Sequence, residues 1–487
     1  MQSYDLYLPT HLVFGKGRVA ELGKLAAGRG KRVLITYGGG SVRRTGLLDE
    51  VKAQLKDFEV FEFGGIEPNP KIGTLKRAIE LCRKEAIDFI VAVGGGSVID
   101  GTKCIAAGVY YEGDAWDLLY DSAKISRTVP FIAVLTLAAT GSEYDNSGVI
   151  SNPATNEKLF LYAPTLFPVA SILDPTWTFT VPASQTAAGA ADIMSHTFEQ
   201  YFVAEGNDIS DSMCEAVLRT VIRNAPKAIA EPDDYEARAE LMMASSFGCC
   251  GLLSMGRTPS VWPCHGIEHE ISAYSDITHG VGLAIITPHW MRYTLNEKTA
   301  LRFVQYAQRV WGIKDEEDAM ATAEKAISRT EAFFRSLGIP AKLSEVGVRA
   351  EDFEAMAEHV EKFWYPLSGA FTPIDRAGVL SISQSLKHGT DGLGDVGNVA
   401  VVQTADADAA VFDGIDAVIR GKFFDLFRRE PRKGEHPGLT RDEAEVALCS
   451  QLGHFFSEEP SHFPDAVAHA GQFRFPVCVA RGVAQDV

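Results

Sequence analysis

The sequence predicts an N-terminal α/β domain, residues 1–182, followed by an all-helical domain, residues 183–387, and an unassigned C-terminal extension, residues 388–487. Three observations predict this. Short apolar runs alternate with amphipathic stretches through the first ~180 residues, as in a parallel, doubly wound sheet. Glycine-rich turns follow the ends of those runs. Beyond Pro182 the strand pattern gives way to helical spacing. A chain of 487 residues also exceeds what one hydrophobic core usually organises.

"RVLITY" (32–37) is apolar and β-branched, and it stops at Gly38-Gly39-Gly40. "LLDEVKAQLK" has helical spacing, "FEVFEF" fits a strand, and "GTLKRAIELCRKEA" returns to helical spacing. "DFIVAV" (88–93) and "PFIAVLTL" (130–137) are continuous apolar runs of the kind buried on both faces. They end at Gly94-Gly95-Gly96 and at Ala138-Ala139-Thr140-Gly141. After "SILDPTWTFTVP" (171–182), stretches such as "DDYEARAELMMASSF" and "EEDAMATAEKAISRTEAFFRSLG" are helical. In the extension, "GTDGLGDVGN" (389–398) has the composition of a linker or loop and residues 406–429 suit an amphipathic helix. "TRDE" (440–443) fits a capping box, and "FRFPVCVARGV" fits a strand.

Composition excludes some functions. Net charge is −18 with no dense Lys/Arg tract, so neither nucleic acid nor an anionic membrane is an expected partner. The start, "MQSYDLYLPTHLVFGKG", lacks a signal-peptide pattern, and no apolar run approaches the ~20 residues of a membrane helix. The eight cysteines are scattered without CxxC. That usage fits reduced thiols in a cytoplasmic protein.

Two constellations carry chemistry. "GGGSVID" (94–100) follows a buried strand and leads into a helix, so its backbone N–H groups would face an anion such as a pyrophosphate. It does not follow the strict GxGxxG register, and a tight structural turn is the plain alternative. A second "GGGS" (38–41) and the turn "TLAATGSE" (136–143) favour a dinucleotide cleft.

The second constellation is imidazole and carboxylate. Asp192 and His196 in "ADIMSHTFEQYF" stand four apart, on one helix face. "HGIEHEISAYSDITHG" adds His265 and His269 at the same spacing, then His279 at a loop and new helix start. Singly each is more often a satisfied polar group. Together they fit an N/O site for Fe(II) or Zn(II), though spacing does not distinguish His265 from His269 as the ligand. A metal site beside a dinucleotide cleft points to hydride transfer; a metal site alone would also serve a hydrolase.

These residues resemble the iron-containing (group III) alcohol dehydrogenases, most of all the branch of NADPH-dependent aldehyde reductases and butanol dehydrogenases. The resemblance is carried in order by "FGKG", "ITYGGGSVRRTG", "FGGIEPNP", "VAVGGGSVIDGTK", "TLAATGSE", "ILDP", "DIMSH", "HGIEHEISAYSDITHG" and "PLSGAFTPIDRAGVLSISQSLK". It implies a dinucleotide-binding α/β domain and an all-helical domain with the active site in the cleft between. It further implies one divalent metal, Fe(II) or Zn(II), on Asp192, His196, His265 and His279, with His269 as a catalytic proton relay. For the cofactor it implicates Gly95, Gly96, Ser97 and Asp100, then Thr136, Thr140, Asn69 and Lys158. NAD-preferring relatives tend to carry an Asp within the first glycine turn. Uncharged Gly39 and Ser41 therefore favour NADP, with NAD as the alternative.

The implied function is reversible reduction of a short or medium-chain aldehyde to its primary alcohol by a cytoplasmic homodimer. A zinc- and NAD-dependent polyol or glycerol dehydrogenase is the runner-up. Two departures stand out: Tyr144-Asp145-Asn146, where relatives carry small or apolar residues, and residues from about 388 on. The extension resembles nothing in the family, and its His436, His454, His462 and His469 lack ligand spacing.

Overall fold

The computed structural model describes residues 1–314, 318–364 and 367–386. The helix, capping box and strand expected within 388–487, and the four histidines there, lie outside the described residues.

The N-terminal part contains strands β1 (His11–Phe14), β2 (Arg32–Tyr37), β3 (Glu59–Phe63), β4 (Phe89–Gly94), β5 (Phe131–Leu135), β6 (Ser147–Asn152), β7 (Glu157–Tyr162) and β8 (Ala170–Leu173). Its helices are α1 (Leu22–Ala26), α2 (Ser41–Arg44), α3 (Leu47–Gln54), α4 (Ile72–Lys84), α5 (Gly96–Gly108) and α6 (Asp117–Tyr120). Six strands form one sheet in the order β1-β8-β5-β4-β2-β3, every neighbouring pair parallel.

The period of two along each strand divides its side chains between two cores. Val33, Ile35, Val91, Val93, Ile132 and Val134 pack with Leu22, Leu47 and Val51 on one face. Leu34, Ile90, Ala92, Phe131 and Ala133 pack with Leu75, Ile79, Ile99 and Ile105 on the other. Both faces are covered, which is why these strands read as unbroken apolar runs rather than as alternation.

From β2 the chain passes to β3 on one side and later to β4 on the other. That is the topological switch point, where the loops part and leave a crevice beyond the strand ends. Gly38–Gly40 and Gly95 sit directly after β2 and β4, at this place.

The β6–β7 hairpin is not among the expected elements. It pairs antiparallel, with Ile150 opposite Leu159 and Ser151 opposite Lys158. The turn "NPATN" between two β-prone runs is its signal in the sequence.

Beyond Leu173 no strand occurs among the described residues. The helices are α7 (Ala183–Tyr201), α8 (Asp208–Ala230), α9 (Tyr235–Gly248), α10 (Pro263–Ser275), α11 (His279–Thr294), α12 (Ala300–Trp311), α13 (Ala319–Ser336), α14 (Phe353–Phe363) and α15 (Arg376–Ser385). Ile193, Met194 and Phe198 of α7 are fully buried in this helical core, beside Leu283 and Trp290 of α11. No described helix is long and apolar enough to cross a membrane. The six cysteines among the described residues are free thiols.

Candidate active site

A cavity of about 390 Å³ opens where the strand ends meet the helical part. Ser97 and Asp100 contribute to its wall from the first turns of α5, Thr140 from the turn after β5, and Asn69 from the loop before α4. Lys158 and Phe160 enter from β7, two apart and therefore on one face of the strand. His196, His265, His269 and His279 complete it from α7, α10 and α11, with Trp262 and Trp364.

Three helices bring the polar atoms together. α7 carries Asp192 and His196 one turn apart, α10 carries His265 and His269, and His279 is the first residue of α11. α11 starts hard against α7. A Cβ on Gly280 would stand 2.0 Å from the Ala188 carbonyl oxygen, so only glycine allows this approach.

Asp192 Oδ1 is the hub. It lies 3.5 Å from His196 Nδ1, 3.8 Å from His265 Nε2 and 3.7 Å from His279 Nε2. These are too long for good hydrogen bonds. Asp192 Oδ1, His196 Nδ1 and His265 Nε2 are buried atoms without a hydrogen-bond partner. Unpaired buried polar atoms are costly, so three around one point need an explanation. Donors ~2.1 Å from a tetrahedral metal ion stand about 3.4 Å apart, close to the spacing seen. Asp192, His265 and His279 each direct one donor atom into a common space.

A second layer fixes the imidazoles. His265 Nδ1 donates to Glu199 Oε2, and His279 Nδ1 donates to Glu268 Oε2. Each bond leaves Nε2 as the lone-pair face toward Asp192. Glu199 Oε1 also accepts the Cys264 amide at 2.7 Å, which satisfies a first-turn donor of α10. The Lys158 ammonium lies 3.2 Å from Glu268 Oε2 and 3.3 Å from His279 Nδ1.

Charge supports the same reading. Asp192, Glu199 and Glu268 are three buried carboxylates in contact with these histidines, and Lys158 is the buried ammonium among them. Two negative charges remain, which is what a divalent cation would offset. Burial alone would raise the Asp192 carboxyl, but the surrounding histidines outweigh it and hold the group well below its usual range. Burial likewise opposes charge on His265, yet Glu199 and Asp192 lift it to about 9. That imidazole is held so firmly by carboxylates that it would carry either a proton or a cation.

His269 differs. Its ring lies 5.3 Å from that of His279 and 4.8 Å from that of Trp364. Nδ1 is buried without a partner, and no carboxylate orients the ring. Burial first, then Lys158 and the other histidines, push its pKa well below the ordinary value, so it is neutral at physiological pH. The structure thus separates His265 from His269, which spacing alone does not: His265 faces Asp192, whereas His269 faces the cavity beside Trp364.

The start of α5 and the turn after β5 form the opposite side, through Ser97 and Thr140. The first-turn amides of Gly96 and Ser97, at the start of the 13-residue α5, have no intrahelical partner by position. A Cβ on Gly96 would stand 2.4 Å from Thr140 Oγ1 and fill this cradle. These features fit a dinucleotide pyrophosphate.

The other expected cofactor residues divide. Asp100 is buried on the wall and is bound by Ser142 Oγ at 2.5 Å and the Val149 amide at 3.0 Å. Asn69 lines the wall and donates to Asp276 Oδ1 at 2.9 Å. Thr136 lies off the cavity wall, and its amide continues the ladder to Gly94 O at 3.0 Å. Gly39 and Ser41 stand at the first glycine turn, outside the cavity wall, and a Cβ on Gly39 would meet nothing within 4 Å. Arg43 is drawn to Glu62 at 2.8 Å and over the Tyr37 ring. The Arg44 Nη1 lies 3.9 Å from where a Gly40 Cβ would stand.

Residues outside the expected set matter as much. Glu199 and Glu268 are two; Glu199 sits seven after Asp192 and three after His196, on the same helix face. The buried Lys103 is a third. Its ammonium bonds Asp145 Oδ1 at 2.5 Å, Ser142 O at 2.7 Å and Ser147 O at 2.6 Å. Asp145, a departure in the sequence, is therefore the counter-charge that lets a lysine be buried under the third turn.

The fold and this site define a parallel α/β sheet whose strand-end crevice faces a cluster of Asp192 and four histidines. Comparison with known proteins gives the family. Residues 9–175 match the family model for iron-containing alcohol dehydrogenase, and residues 186–386 match the model for its C-terminal part. The chain belongs to the iron-containing alcohol dehydrogenase family. It is 50% identical over 385 residues to NADH-dependent butanol dehydrogenase A of Clostridium acetobutylicum, covering 78% of this chain and 99% of that protein. It is 41% identical over 366 residues to the NADPH-dependent aldehyde reductase YqhD of Escherichia coli, covering 74% and 94%. The crystal structure of NADH-dependent butanol dehydrogenase A from Thermotoga maritima superimposes with a TM-score of 0.76 at 34% identity, covering 80% of this chain and 99% of that one.

Proposed function

We propose that this protein is an NAD(P)H-dependent alcohol dehydrogenase that reduces short and medium-chain aldehydes to primary alcohols, and runs the reverse oxidation. The single observation that carries this is the convergence of three unpaired buried donors, Asp192 Oδ1, His196 Nδ1 and His265 Nε2, beside a dinucleotide crevice. Similarity to butanol dehydrogenases and to an aldehyde reductase supports the substrate class. No observation favours a hydrolase, which has no use for a pyrophosphate cradle.

Asp192, His196, His265 and His279 would hold one divalent ion, Fe(II) or Zn(II), which when bound supplies Lewis-acid polarisation of a carbonyl. The amides of Gly96 and Ser97 bind the pyrophosphate, and Gly95, Thr140, Asp100 and Asn69 shape its surroundings. Glu199 and Glu268 keep the imidazoles of His265 and His279 turned toward Asp192. His269, neutral and unpaired, is placed to pass a proton to the product oxygen through water. The aromatic wall keeps bulk water from the hydride step.

Cofactor preference rests on the first glycine turn. Open space at Gly39, no carboxylate at Ser41 and the nearby Arg44 favour NADP's 2′-phosphate, with NAD as the alternative. The proposed division is residues 1–182 and 183–387, in a cytoplasmic homodimer with small-molecule partners only. Absorbance of NADPH and NADH is followed with a panel of aldehydes. Aldehyde-dependent oxidation, faster with NADPH, is the expected result; none with either cofactor would overturn the reading. His269→Ala should keep its metal and slow turnover about 10²-fold.

A further inference from the structure

We infer that Trp364, seated on Gly266, selects substrates at the reacting end of the cavity: it admits aldehydes with an unbranched alkyl chain and rejects branched or aromatic ones. The inference rests on the aldehyde-reductase reading of the site and deepens it.

The Trp364 ring packs against α10 at Gly266. A Cβ there would stand 3.2 Å from Trp364 Cδ2 and 3.3 Å from Cγ, tighter than ordinary packing, so the glycine makes the notch that receives the indole. The same ring meets the His269 imidazole edge-on at 4.8 Å and leans on Phe160 at 5.7 Å. It is 9% exposed, and with Phe160 and Trp262 it lines the wall shared with His265 and His269. In the proposed function His269 serves the carbonyl oxygen through a water, so the indole beside it would border the first carbons of the chain. Rigid aromatic walls leave a slot that a straight methylene chain fills, while a branch next to the carbonyl would meet the indole. The pair also lies on two separate elements, α10 and the end of α14, so the slot width depends on how deeply the ring sits in the Gly266 notch.

The test compares kcat/KM for butanal with that for 2-methylpropanal and benzaldehyde in the holoenzyme. Trp364→Ala should raise the ratio of either bulky aldehyde to butanal about tenfold or more, with metal content near wild type. Trp364→Phe keeps an aromatic wall and should shift the ratio in the same direction by less, which protects the test if the alanine variant folds poorly. Gly266→Ala should drive the ring into the slot and raise KM for butanal, at unchanged metal content. A wild-type enzyme active on butanal whose ratios do not move in Trp364→Ala or Trp364→Phe would overturn this inference alone. A metal-loaded wild type that oxidises no NAD(P)H with any aldehyde would overturn the functional reading beneath it.

Discussion

Glu199 on α7 binds the Nδ1 of His265 on α10 and, through its other oxygen, the amide of Cys264 at 2.7 Å. One carboxylate thus orients an imidazole turned toward Asp192 and caps the helix that carries it. Removing such an outer partner of a metal-ligating histidine usually costs about 10- to 100-fold in metal affinity. Glu199→Gln keeps an oxygen for the amide but loses the charge. Competition titration with a chelator should show metal affinity reduced about 10- to 100-fold, with helix content unchanged.

Lys103 and Asp145 form an ion pair under the third strand-end turn, and the lysine side chain has no exposure. Breaking one side of a buried pair leaves an uncompensated charge and costs about 3–5 kcal/mol. Lys103→Met should therefore lower unfolding stability by about that amount in chemical denaturation. Lys103→Met combined with Asp145→Leu should cost less than Lys103→Met alone. A double variant at least as unstable as the single would show that the pair does not act as a unit.

Glu143 gives a pH dependence with a definite sign. Burial raises its carboxyl from 4.5 to about 7, although Ser246 Oγ donates to it at 2.5 Å. The folded state therefore holds a proton that the unfolded state loses above pH 4.5. The contribution to stability is complete below that pH and disappears as pH rises through about 7. Glu143→Gln removes this dependence. The stability difference, variant minus wild type, should grow in favour of the variant from pH 5 to pH 8, read by urea unfolding at each pH.

Much of this was legible in the sequence, for physical reasons that differ by element. β2, β4 and β5 were legible because strands buried on both faces are apolar without interruption. The glycine turn after β4 was legible because a Cβ on Gly94 or Gly96 would stand 2.5 Å from Val98 or 2.4 Å from Thr140, and the turn after β2 because Gly40 takes a left-handed φ of 103°. β6–β7 is less legible because its residues alternate weakly and several serve the cavity, Lys158 and Phe160 among them. Asp192 and His196 showed as a helical pair, but spacing says nothing of which way an imidazole turns. Glu199 and Glu268 decide that, and their contacts span 66 and 11 residues. Spacing does not set His269 apart from His265; their surroundings differ, with a carboxylate on one ring and an indole beside the other.

On the proposed function, the Asp192 centre holds the ion on which the chemistry depends. Metal stoichiometry with aldehyde-dependent NADPH oxidation decides this, measured on wild type, on chelator-treated wild type, and on Asp192→Ala. One divalent ion per chain is expected in the wild type. Activity should be lost on chelation and restored by Fe(II) or Zn(II), and Asp192→Ala should be folded and metal-free, with turnover reduced on the order of a thousandfold. Full activity in metal-free protein, or in Asp192→Ala, would rule this out.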